Sequence, residues 1–227
     1  MSKSPQSAKR FGRAALASSA VAGLVVTGLM AATSGSATAA TAGPKTGGTL
    51  ILLEHQPKLD HLDPSRIYTG RDLAFENSFL IRTLVAYTPK AGPGGASLVP
   101  DLATNTGVPS NEAKTWKFTL RPGSTFEDGT KITCAHVKYG VSRVFATDII
   151  TDGPAYLNSW LDLGGVTYKG PYANDSAGQA AFDKAVTCSK DDRTITFNLN
   201  KSVADFNYLA TYGVISPIQQ KLDKGDS

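Results

Sequence analysis

Trp116-Lys117-Phe118-Thr119-Leu120-Arg121-Pro122-Gly123-Ser124-Thr125-Phe126-Glu127-Asp128-Gly129-Thr130-Lys131-Ile132-Thr133-Cys134-Ala135-His136-Val137-Lys138-Tyr139-Gly140-Val141-Ser142-Arg143 reads as a strand, a turn, a short loop and a helix. Trp116, Phe118 and Leu120 alternate with Lys117, Thr119 and Arg121, the period of a half-buried strand. Arg121-Pro122-Gly123-Ser124 then turns the chain: proline presets φ at the second position and glycine accepts positive φ at the third. Asp128-Gly129 is a second turn signal, and Thr133 stands where a helix N-cap belongs. Val137, Val141, Val144 and Phe145 follow as one apolar stripe.

Outward from this block, Thr49 to Leu53 is a continuous apolar run, which predicts a buried strand. Gly70 to Arg82 predicts a helix with Phe75, Phe79 and Arg82 on one side. Leu84 to Tyr87 predicts a short strand, and Ala91 to Ala96 a flexible loop too irregular to cradle phosphate. Downstream, Asn174 to Thr187 predicts a helix capped at Asn174. Asp191 to Thr194 is a solvated turn, and Ile195, Phe197 and Leu199 alternate in a strand. Ala204 to Thr211 predicts a helix, and Val214 to Pro217 an extended stretch.

The 227-residue chain carries a formal charge of +4, which invites a nucleic-acid reading. The excess is local. Lys3, Lys9, Arg10 and Arg13 lie in the first 39 residues, and without them 23 basic residues become 19, equal to the 19 acids. No basic stripe interleaved with aromatics remains, so no nucleic-acid partner is expected. Those same residues form the charged head of an export signal, with an apolar stretch from Ala14 to Ala32 and a small-residue cleavage candidate at Ala37-Thr38-Ala39. No cysteine sits near that point, so a lipid anchor is not expected and the product is secreted or held at the cell envelope.

Cys134 and Cys188 are the only cysteines. In an oxidising compartment an even pair favours one disulfide, the alternative being two buried free thiols. No GxSxG, HExxH, Walker A or EF-hand pattern occurs. His55 and His61 with Asp60 and Asp63 offer metal-ligand chemistry at a spacing that fits no recurrent template, so no metal and no cofactor are expected.

The Trp116–Arg143 block resembles the signature of the family 5 extracellular solute-binding proteins, the peptide and nickel receptors of ATP-binding-cassette (ABC) importers. Trp116, Phe118, Leu120, Arg121, Gly123, Phe126, Asp128, Gly129, Thr133, Val137 and Arg143 fit that pattern in register. Leu62-Asp63-Pro64, Val99-Pro100-Asp101-Leu102-Ala103 and Asp192-Arg193-Thr194 resemble three further family segments. His136 departs from it, standing where the family has an acid that caps the helix reciprocally, and a weaker helix start is expected.

The resemblance implies a mixed α/β fold of the periplasmic-binding-protein-like II type, present as a partial lobe one plus a small additional α+β domain. Its implied divisions are a signal peptide over 1–39, a linker over 40–48, the first strand of lobe one over 49–60, the additional domain over 61–190, and a partial, truncated continuation of lobe one over 191–227. It further implies a monomeric binding protein that is no enzyme. Such a protein takes a small-molecule or peptide ligand and delivers it to the membrane permease of an ABC importer. Glu54, His55 and Gln56 are then the expected ligand-facing residues, against the reading that they are ordinary strand-end polarity. Tyr156 and Trp160 are further candidates. Two other readings stand beside this one: a secreted hydrolase, and a truncated remnant that binds nothing.

Overall fold

The computed structural model describes residues 46–53 and 58–225. The chain divides at Leu52/Leu53, and each part is taken alone. In the first, residues 46–52 form no helix or strand. The buried strand expected over Thr49–Leu53 is not formed: Leu50, Ile51, Leu52 and Leu53 are all exposed. A strand buried on both faces gets its burial from neighbouring strands, and among the described residues none pairs with this run. The expected leader over 1–39 lies outside the described residues, as do Glu54, His55 and Gln56.

In the second part, the signature block folds as its pattern predicts. Strand β4 (Thr115–Thr119) buries Trp116 and Phe118 and exposes Lys117 between them. It is flanked by β3 (Val108–Ser110) and β6 (Thr194–Asn198), and β5 (Val186–Cys188) lies beyond β6. All three pairings are antiparallel, with Trp116 opposite Phe197 and Phe118 opposite Ile195. β6 is thus an inner strand, and the expected division at residue 190 falls inside this sheet. A second pair, β1 (Val85–Tyr87) with β2 (Leu98–Pro100), is also antiparallel.

Gly123 has φ +82 and Gly129 φ +80, so both turns use the left-handed backbone that glycine adopts without steric cost. Helix α2 (Cys134–Arg143) then packs Val137 and Val141 into one core with Trp116, Phe118, Leu120, Ile195, Phe197 and Phe206. Trp116 satisfies its buried indole N–H on the carbonyls of Ala113 and Val203, each at 3.1 Å. Gly140 lets α2 approach the backbone at Ser216 closely: an added Cβ would lie 2.1 Å from that carbonyl oxygen.

Thr133 is the N-cap of α2. His136 does not cost the helix its reciprocal cap. The Thr133 N–H donates to His136 Nδ1 at 3.2 Å, so a neutral imidazole does the work of the family's carboxylate. Burial holds the imidazole pKa below its ordinary value, which keeps that lone pair free. The start of α2 is also held from across the chain. Asp192, at φ 54, accepts from Cys134 N–H through its carbonyl and from Ala135 N–H through Oδ1, so it is not a merely solvated turn residue. The Cys134–Cys188 disulfide joins the same two places.

Other elements depart from expectation. Helix α1 spans Gly70–Phe79, and its buried residues are Asp72 and Glu76, while Phe79 and Leu80 are exposed. Phe75, on the same side as Phe79, is half-buried. Helix α4 (Ser176–Ala185) is capped by Asp175, which accepts from Gly178 N–H, in place of Asn174; the end of the expected helix becomes β5. Val214–Pro217 contains a 3-10 turn over Gly213–Ile215 in place of extended chain, and Ala91–Ala96 another over Gly92–Ala96.

Candidate functional site

Two motif residues that lie 80 positions apart meet in the interior. The Arg143 guanidinium binds Asp63 through both nitrogens, Nη1 to Oδ1 at 2.7 Å and Nη2 to Oδ2 at 2.6 Å. Its Nε lies 2.7 Å from Asp223 Oδ2 and donates to Tyr172 Oη at 2.8 Å. Burial opposes the arginine's charge, but hydrogen bonds to Asp63 and Tyr172 outweigh it and raise its pKa. Burial likewise works against ionised Asp63 and Asp223, and is overcome for Asp63 by Arg143 and for Asp223 by the Tyr172 hydroxyl, leaving both pKa values lowered. The network is charge-paired and fully engaged, so Asp63 is not free for the metal reading. His61 instead lies 3.6 Å from Asp152.

Beside this network is a hollow of about 510 Å³ walled by Leu80, Ile81, Phe126, Ile132, Ile218 and Leu222. Its charged groups are mostly committed to one another: Arg143 with Asp63 and Asp223, and Arg82 with Asp101 across its edge. Its wall is mainly apolar, and Ser216 Oγ and Gln219 Oε1, both buried without a hydrogen-bond partner, belong to residues that line it.

A smaller pocket, of about 140 Å³, is mainly aromatic. It is lined by Tyr87, Tyr156, Trp160, Asp205, Tyr208, Leu209 and Tyr212. Tyr156 and Trp160 project together because helix α3 (Tyr156–Trp160) spaces them at i and i+4. Their rings stack at 5.3 Å, while Leu157 and Leu161 bury the opposite side. Helix α5 (Phe206–Leu209) and its N-cap Asp205 supply Asp205, Tyr208 and, just past the helix, Tyr212. Tyr212 meets Tyr156 edge-on at 6.3 Å, and Tyr208 meets Tyr87 at 6.1 Å.

The backbones beneath are tied to the core. Asn200 N–H donates to Trp160 carbonyl at 2.9 Å, and Leu161 bridges to Leu199. The Tyr212 phenol pKa is raised first by burial and then by the phenols of Tyr156, Tyr87 and Tyr68. Tyr87, Tyr156 and Tyr208 stay between 41% and 48% exposed, so these faces are open to a ligand. The structure thus brings Tyr156 and Trp160 together and joins to them Tyr87, Asp205, Tyr208 and Tyr212, which sequence reasoning missed. One signal was present: Asp205, Tyr208 and Tyr212 fall at helical spacing.

Among the described residues Cys134, Cys188 and Asp192 form a group of metal-ligand type, but its two sulfurs are bonded to each other. No described helix is long and apolar enough to cross a membrane.

No curated protein sequence matches this chain. Among solved structures, the clavulanic acid biosynthesis oligopeptide binding protein 2 is 36% identical over 74% of this chain and 29% of its own, with a TM-score of 0.67. OppA of Burkholderia pseudomallei is 18% identical over 71% of this chain and 28% of its own, with a TM-score of 0.56. OppA of Listeria monocytogenes bound to peptide is 17% identical over 70% and 28%, with a TM-score of 0.54, and like the preceding structure it speaks to the fold alone. The chain therefore spans under a third of the length of these relatives. The family model described as bacterial extracellular solute-binding proteins, family 5 Middle, matches residues 97–227, more than half of the chain. The fold is that of part of a lobe of a periplasmic binding protein, and the chain belongs to the family 5 bacterial extracellular solute-binding proteins.

Proposed function

We propose that this chain contributes part of the first lobe of an extracytoplasmic receptor that captures peptides for an ABC importer. The observation that carries this reading is the half-exposed pocket of Tyr87, Tyr156, Trp160, Tyr208 and Tyr212 on a rigid scaffold. Aromatic faces of this kind take up varied side chains with large contact area and little ordering cost. The family membership and the names of relatives that bind oligopeptides support the same solute class. On the resemblance, Glu54, His55 and Gln56 face the same ligand, residues 1–39 direct export, and a membrane permease receives the solute. In this role the chain carries out no chemistry, acts as a monomer, and changes its partner's state through closure around the ligand.

The test is a fluorescence titration of the purified chain with a mixture of short peptides. Trp116 is buried in the core and Trp160 lines the pocket, so a saturable change is expected that disappears in Trp160→Phe. Absence of any saturable change at millimolar peptide overturns the reading, and peptide cleavage in the same mixture would favour the hydrolase.

A further inference from the structure

We propose that the tyrosine-lined pocket is a subsite for a cationic side chain, an arginine or lysine of the bound peptide. This rests on the peptide reading above and sharpens it. Its lining consists of five aromatic rings, Leu209 and a single charged group, Asp205. The Asp205 carboxylate is exposed and makes no hydrogen bond or ion pair among the described residues, and it does not cap α5. A negative group with no internal partner, placed at the rim of a ring of π-faces, is the arrangement that attracts a cation: the ring quadrupoles are negative on their faces, and the carboxylate adds a full charge.

The molecule supplies its own precedent on the neighbouring surface. Lys201 extends its ammonium over the Trp160 ring at 5.9 Å. With Lys201 over Trp160 and Tyr156 stacked on the same ring, the exposed phenols of the pocket are those of Tyr87, Tyr156 and Tyr208. The phenol hydroxyls of Tyr87, Tyr156 and Tyr212 make no hydrogen bond among the described residues, so their oxygens also remain to accept from a guanidinium or ammonium. An anionic side chain would meet Asp205 directly. An aliphatic one would leave it unanswered.

The discriminating experiment compares Ala-Arg-Ala with Ala-citrulline-Ala, whose side chain has nearly the same shape and no charge. Calorimetry should find the arginine peptide bound about tenfold tighter at low salt, the preference shrinking as ionic strength rises. Asp205→Asn should bring the arginine peptide's affinity down towards that of the citrulline peptide. Equal affinities for the two peptides, with both weakened by Tyr156→Ala, overturn the cation assignment and leave the peptide reading standing. If neither peptide binds, the peptide reading fails and takes this proposal with it. A preference for Ala-Glu-Ala would overturn the proposal on its sign alone.

Discussion

Arg143 and Asp63 each sit in a motif that is legible in the sequence, yet nothing in the sequence joins them. Only the fold brings them to a two-point contact at 2.6 and 2.7 Å. That geometry needs a planar fork, which lysine lacks. Arg143→Lys should therefore lower unfolding free energy on the order of 2–3 kcal/mol, the loss of at least one charge-assisted hydrogen bond, although the charge is kept. A urea midpoint indistinguishable from wild type would show that the fork is dispensable. Glu76 could not be placed from sequence, because a lone acid on an amphipathic helix reads as solvated. In the structure it is fully buried, neither carboxylate oxygen has a hydrogen-bond partner, and burial followed by the charges of Asp63 and Asp72 pushes its pKa up to about 7. Since the folded state holds this proton more tightly than the unfolded chain, Glu76's own contribution to stability is fully present below the ordinary value of 4.5 and is lost as pH rises to about 7. Glu76→Gln should remove that slope and raise stability at pH 8 on the order of 2–3 kcal/mol. Thermal melts from pH 4 to 8 would contradict the account if the mutant kept the wild-type slope.

At the scale of elements, the strand, turn and helix of the signature block were readable because each carries a local signal: a period of two, a Pro-Gly turn, an N-cap threonine and an apolar stripe. Strand β5 was not, because Val186-Thr187-Cys188 continues a helical pattern and becomes a strand only by pairing with β6. Helix α1 was legible as a helix, but not that its buried residues are Asp72 and Glu76. Periodicity names a face without saying what covers it. Two of the contacts that hold α2 in place each predict an outcome. Gly140→Ala would force its Cβ onto the Ser216 carbonyl, so α2 must shift, at a cost of about 2 kcal/mol or more in a denaturation curve. Replacing Cys134 and Cys188 with serine opens a loop of 54 residues, and the chain-entropy relation puts the loss at about 4 kcal/mol. If reduction leaves the melting temperature unchanged, the disulfide is not holding α2 to β5.

For the whole molecule, the family was legible before any coordinates because four separate segments matched it, and residues 97–227 bear that out. The aromatic pocket was only half legible. Tyr156 and Trp160 were candidates from the sequence, whereas Tyr87 and Tyr212 reach the same place from elements far apart in sequence. The account depends most on that pocket taking a peptide. Calorimetric titration of the purified chain with a mixture of tri- to pentapeptides, run beside the Tyr156→Ala/Trp160→Ala variant, tests it directly. Saturable heat from the wild type, absent from a variant that melts at the same temperature, is the predicted result; equal heats from the two proteins, or none from either, would contradict it.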